Sequence, residues 1–178
     1  IQERPLGTAD AMLAAESFAA GESVLALNGD NYYPASGLTA LATLSRAGLI
    51  GFRQSGLLAD GSIPAERVRA FALIAADGEG NLTRIVEKPT ADQAATFGPD
   101  PLVSMNAWLL PPSIYDACRS VTPSPRGELE LQDAIRISIG RQGERYQVVE
   151  SSQAVLDLSG RSDIPGVTAR LRDVTVRL

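Results

Sequence analysis

The side chains able to do chemistry in this chain fall in four short polar stretches, each of which interrupts or ends an apolar run. They are Gln2 with Gly7-Thr8-Ala9, Gly29-Asp30, Glu87-Lys88-Pro89 with Asn106, and Leu156-Asp157-Leu158-Ser159. The 178 residues contain no His and one Cys, Cys118. That excludes an internal disulfide, a zinc site of the usual His/Cys kind and a His-dependent triad. Carboxylates, amides, hydroxyls, Arg and a single Lys remain. Of the 16 basic residues only Lys88 is Lys. Keeping an ammonium at one place points to a compact charge where a planar guanidinium would not serve; chance in a biased composition is the competing explanation. Asp30 ends the run Val24-Leu25-Ala26-Leu27. In an open α/β sheet the ligand crevice lies outside the carboxyl ends of the strands, so an acid there meets arriving substrates. Asn28-Gly29-Asp30-Asn31 also reads as a plain turn, since these residue types favour turns for backbone reasons.

The elements that must position these groups alternate between strand and helix patterns. Thr8 is placed to cap a helix over 9–20, whose residues Ala9, Met12, Leu13, Phe18 and Ala19 form a stripe expected to pack on a sheet. The almost continuous apolar run Val24–Leu27 suits a strand buried on both faces. A helix from Ser36 or Thr39, stopped by Gly48, and a strand over 49–53 follow. Residues 54–66 read as a loop, with Gly56, Gly61 and Pro64 as punctuation. Val68–Ala76 and Leu82–Val86, separated by Asp77-Gly78-Glu79-Gly80-Asn81, predict a hairpin that delivers Glu87-Lys88-Pro89 at its exit. Leu102–Leu110 reads as a core strand interrupted by Asn106; helices over 111–121 and 128–139, short strands over 146–150 and 154–156, a helix over 163–173 and a final strand over 174–178 complete the chain. Alternation of this kind predicts a three-layer α/β/α, Rossmann-like fold with a mixed, mainly parallel sheet, in one domain over 1–178.

The order and spacing of the polar stretches resemble the sugar-1-phosphate nucleotidyltransferases. Gln2 to Ala9 is similar to that family's Gln-(four residues)-Gly-Thr-Ala, Gly29-Asp30 to its Gly-Asp at a strand end, and Glu87-Lys88-Pro89 to its Glu-Lys-Pro. Arg126 to Asp133 resembles its Arg-Gly-Glu-Leu-Glu-(two residues)-Asp helix entry, and Asp157 with Asp163-Ile164 its late metal aspartate. Each motif alone is common; five in the family's order are specific. The resemblance implies attack of a sugar-1-phosphate oxygen on the α-phosphorus of a nucleoside triphosphate, with release of pyrophosphate. It implies Asp30 and Lys88 as catalytic residues. Gln2, Gly7 and Thr8 would lie at the base, and Gly29 beside the substrate. Glu87 would sit on the sugar hydroxyls, Lys88 on the sugar phosphate and Asn106 against the sugar. Asp30 and Asp157 would hold Mg²⁺, a hard ion that favours carboxylate oxygens. A pyrimidine nucleotide is expected, because a Gln amide can pair with the N3–O4 edge of uracil or thymine. Nothing here matches the family's opening strand and Gly-rich loop, so a domain missing that front end is expected. Ala72 and Asn106 stand where family members often have Gly.

A net charge of −5 lacks the basic stripe that nucleic acid needs, and no apolar run reaches the roughly 20 residues of a membrane span. The expectation is a cytoplasmic enzyme acting on a nucleoside triphosphate and a sugar-1-phosphate, without nucleic acid or membrane partners and with a homo-oligomer left open. A non-catalytic sugar- or nucleotide-binding domain of the same fold, with a regulatory role, is the alternative.

Overall fold

A computed structural model describes residues 2–59 and 62–174. In chain order its elements are α1 (Thr8–Ala19), β1 (Val24–Ala26), β2 (Asn31–Tyr32), α2 (Ala35–Ala42), β3 (Gly48–Arg53), α3 (Gln54–Ala59), α4 (Ala65–Arg69), β4 (Ala72–Ala76) and β5 (Leu82–Val86). They continue with α5 (Ala91–Ala95), β6 (Leu102–Leu110), α6 (Ile114–Arg119), α7 (Leu131–Gln142), β7 (Gln147–Ser151), β8 (Leu156–Asp157), a 3₁₀ turn (Arg161–Asp163) and α8 (Ile164–Leu171).

The main sheet runs β5-β4-β6-β3-β7, with β1 also paired to β6. It is mixed: β3 and β7 pair parallel, and β6 is antiparallel to β1, β3 and β4. Four strands, β1, β3, β4 and β7, therefore share one direction, and β6 runs against them in their midst. The period-2 alternation of β6 divides the core. Val103, Met105, Ala107 and Leu109 join Leu41, Ile50, Phe52, Leu57 and Val68 on the face covered by α2, α3 and α4. Leu102, Trp108 and Leu110 face the other way, into the layer of Ala9, Ile114, Ala117, Ala134 and Ile135 from α1, α6 and α7. Three layers result.

One edge of β6 is shared by two strands. Residues 102–104 pair with β4 and residues 108–110 with β1, while β3 occupies the opposite edge. Between the two lies Asn106 at φ 56°, and the β3 ladder loses register at the same level. A left-handed residue in mid-strand makes a bulge that turns the local side chains out of the ladder. Asn is among the few residues that tolerate it.

Several expectations need correction. Residues 54–59 are helical; Gly56 serves close packing, since a Cβ there would lie 2.3 Å from the Ser152 carbonyl oxygen. Val68 belongs to α4 and is fully buried, so the hairpin comprises 72–86. Phe18 is 89% exposed, because it lies about 100° round the helix from the buried Ala19. Leu25 and Leu27 are 44% and 43% exposed, against the expectation of burial on both faces. Among the described residues β1 pairs with β6 alone, which leaves its second edge uncovered. Of the strand expected over 174–178, Val174 is not in a strand, and residues 175–178 lie outside the described residues.

Candidate active site

The polar elbow after β1 is held by one phenol. Tyr33 Oη donates to the Met105 carbonyl at 2.6 Å and accepts from the Asn28 backbone N–H and Asn31 Nδ2, each at 3.2 Å. Burial pushes the Tyr33 hydroxyl above its ordinary range, so it stays a donor at neutral pH. The elbow is thereby tied to β6 one residue before the Asn106 bulge. Its far side pairs with β8: Asn31 lies opposite Asp157, and the Leu158 N–H donates to the Asp30 carbonyl at 2.9 Å. Asp30 and Asp157 thus stand on neighbouring strand ends in different settings. Asp30 is exposed, and its carboxylate makes no bond to the described residues. Asp157 is 4% exposed and accepts from Arg67 Nη1 at 2.8 Å and from the Ser159 hydroxyl at 3.0 and 2.8 Å.

Two clefts are linked by the contact between Asn106, which lines the first, and Gln132, which lines the second. One, of about 130 Å³, is lined by Thr8, Met12, Leu27, Asn28, Asn106 and Leu131. It lies between the start of α1 and the carboxyl end of β1. The other, of about 280 Å³, is lined by Glu87, Lys88, Arg126, Glu130, Gln132 and Arg136, among others. Gln132 Nε2 donates to Asn106 Oδ1 at 3.2 Å across the partition. The start of α1 is locked to α7: Leu129 N–H donates to the Leu6 carbonyl at 2.8 Å, Ala9 N–H to the Leu129 carbonyl at 2.9 Å, and Leu131 N–H to Thr8 Oγ1 at 2.8 Å. Thr8 therefore caps α7 instead of α1, whose N-cap is Gly7.

In the second cleft the charges are unevenly matched. Arg126 pairs with Glu130 at 2.6 Å and Arg136 pairs with Asp133. Lys88 makes no ion pair among the described residues, and its φ of 45° is one of three positive values at non-glycine positions. A non-glycine residue held there is strained, and such strain clusters at ligand-binding sites.

The nucleotidyl transferase family model matches residues 1–164. The chain belongs to this family. Low-salt glycan biosynthesis nucleotidyltransferase Agl11 of Haloferax volcanii is 29% identical over 136 residues, covering 76% of this chain and 34% of that protein. A UTP–glucose-1-phosphate uridylyltransferase of Streptococcus pneumoniae is 28% identical over 141 residues, covering 75% and 46%. The chain thus spans less than half the length of either relative. Among solved structures, UTP-bound UGPase from Acinetobacter baumannii superposes with a TM-score of 0.69 at 16% identity, over 97% of this chain and 59% of that one, a likeness of fold.

The fold brings Thr8, Asn28 and Asn106 to one cleft and Glu87 and Lys88 to the other, with Gly29 and Asp30 in the elbow between β1 and β2. Gln2 lies outside both; its Nε2 donates to the Gly7 carbonyl at 3.2 Å and to Asp10 at 2.7 Å. Tyr33, Gln132 and Arg67 were not singled out by sequence. Gln132 could have been, since it sits inside the Arg126–Asp133 motif. Tyr33 and Arg67 carry no signal of these roles, because the Met105 carbonyl that Tyr33 reaches is 72 residues away and the two aspartates on Arg67 are 90 or more. No helix among the described residues is long and apolar enough to cross a membrane.

The burial of Glu87 has a measurable consequence. Burial raises its carboxyl above the ordinary range, against the opposing pull of Lys88. An acid with a raised folded-state value binds more protons folded than unfolded. Its contribution to stability is therefore greatest below its unfolded value and is lost as pH rises through the folded one. Glu87→Gln removes that loss: its melting temperature exceeds the parent's at pH 7, and the difference closes near pH 4. A melting series followed by circular dichroism checks this, and a Gln variant less stable at pH 7 would contradict it.

Proposed function

We propose that this chain is the substrate-binding body of an enzyme that joins a sugar-1-phosphate to a nucleoside triphosphate, a pyrimidine one in first place, giving a nucleotide sugar and pyrophosphate. The observation that carries the reading is Lys88, a cation with no ion pair among the described residues, on strained backbone beside Glu87, in a cleft linked through Gln132 and Asn106 to the cleft at the end of β1. Such transfer asks little covalent work of a protein; positioning and charge neutralisation do most of it. Lys88 holds the sugar phosphate as a point charge. Glu87 and Asn106 fix the sugar, so that a phosphate oxygen attacks the α-phosphorus and pyrophosphate departs. Gln2, Gly7 and Thr8 serve the base. With its Nε2 committed to Gly7 and Asp10, Gln2 has its carbonyl oxygen to accept a base N–H, which suits the N3–H of uracil or thymine.

Asp30 and Asp157 are the residues that would hold a divalent metal, Mg²⁺ by the hardness of their oxygens. They fit it: the Asp30 carboxylate bonds to none of the described residues, and Asp157 Oδ1 receives only the Ser159 hydroxyl, which leaves it a lone pair. When bound, the metal would neutralise charge on the transferring phosphates. We also place a further strand and a Gly-rich loop before Ile1 in the whole protein. Among the described residues the second edge of β1 is unpaired, and that edge is where such a strand would pair.

Lys88→Arg in the whole protein tests the reading. The wider guanidinium keeps the charge but does not fit a point-charge pocket. The apparent KM for sugar-1-phosphate rises about tenfold or more, with the nucleotide KM nearly unchanged. Turnover of sugar phosphate equal to the parent's would make Lys88 a surface lysine.

A further inference from the structure

The carboxylate of Asp157 is already part of a built cluster. Arg67, on α4, donates Nη1 to Asp157 Oδ2 at 2.8 Å and to Asp163 Oδ2 at 2.9 Å, and Nη2 to Asp163 Oδ1 at 3.2 Å. Asp163 also accepts the Gly160 N–H at 2.8 Å, which closes the loop after β8. The mount is rigid, since Val68, next to Arg67, is fully buried in the core under α4. A carboxylate offers about four lone-pair positions. On Asp157, Oδ2 receives both Arg67 and Ser159, whereas Oδ1 receives only the Ser159 hydroxyl, whose one proton serves a single oxygen at a time. Asp163 meets the guanidinium through both of its terminal nitrogens, Nη1 and Nη2, so the positive charge is matched there and the charge of Asp157 is left over.

We propose that Arg67, neutralised by Asp163, is the positioning residue for Asp157: by occupying Oδ2 it fixes the carboxylate and leaves Oδ1 as the open ligand atom for a divalent cation. This rests on the reading of Asp157 as a metal ligand. Removing a group that orients a metal-ligating side chain costs about ten- to a hundredfold in metal affinity. The opposite case is a guanidinium that competes with the metal for Asp157, and its removal would tighten binding.

The test is a Mn²⁺ titration of the whole protein, with free Mn²⁺ read by electron paramagnetic resonance and folding followed by circular dichroism. Asp157→Asn weakens binding. Arg67→Gln weakens it about ten- to a hundredfold. Asp163→Asn does so as well, because the unmatched guanidinium then draws on Asp157 alone; this variant decides the matter should Arg67→Gln fail to fold. Tighter Mn²⁺ binding by Arg67→Gln overturns the proposal in favour of competition. Unchanged affinity with a lowered melting temperature makes Arg67 merely structural. Unchanged affinity in Asp157→Asn removes Asp157 from the metal site, and the metal reading falls with the proposal.

Discussion

Asp30→Asn in the whole protein lowers turnover of sugar-1-phosphate and nucleoside triphosphate by about a hundred- to a thousandfold while leaving the melting temperature unchanged. The size follows from the role proposed for Asp30: a metal ligand that loses its formal charge would forfeit several kcal/mol of stabilisation of the transferring phosphates, and each 1.36 kcal/mol is about tenfold in rate. The silence in stability follows from the structure. The Asp30 carboxylate is exposed and bonds to none of the described residues, and only its backbone carbonyl is used, by the Leu158 N–H at 2.9 Å. Substitutions at such positions move stability by roughly 0.5 kcal/mol or less. Steady-state kinetics and a thermal melt on the same preparation check both halves. An active variant removes Asp30 from the chemistry, and a large drop in melting temperature gives it a structural task instead.

Gly7→Ala has the opposite profile. Gly7 has φ +124°, and a Cβ there would lie 2.4, 2.5 and 2.9 Å from the carbonyl oxygen, nitrogen and carbonyl carbon of Leu129. All three are backbone atoms, and they are pinned by the Leu129–Leu6 and Ala9–Leu129 hydrogen bonds, so no side chain can give way. Backbone strain of about 1–3 kcal/mol adds to overpacking of about 1–3 kcal/mol. The expected destabilisation is about 3–5 kcal/mol, which for a chain of this size lowers the melting temperature by about 10 °C. A chemical denaturation series measures it, and a loss below about 1 kcal/mol would mean that α1 and α7 can part without cost. Because Thr8 Oγ1 caps α7 next to this contact, the cleft lined by Thr8 and Asn106 opens with it.

The period of the apolar pattern made most of the fold legible. Residues 102–110 are the long central strand, with Asn106 as its interruption, and 82–86 return as the second arm of the hairpin. Reading failed where a residue type served long-range packing. Gly56 punctuates no loop but lets α3 approach the Ser152 backbone. Val68, apolar and next to a strand run, is the buried face of a one-turn helix. The site was legible as motifs and not as a network. Glu87, Lys88, Asn106 and Asp30 could be named because they break apolar runs. Tyr33 could not, since its hydroxyl acts through Met105 on a different strand, and Arg67 could not in a chain whose basic residues are nearly all Arg.

The most direct measurement is pyrophosphate release by the whole protein given glucose-1-phosphate, Mg²⁺ and UTP or dTTP. The account predicts release that requires both substrates, is abolished by Asp30→Asn and demands more sugar phosphate in Lys88→Arg. Binding of the same substrates by calorimetry, without pyrophosphate from any nucleoside triphosphate and sugar phosphate offered, would contradict it and leave a binding domain of the nucleotidyl transferase family.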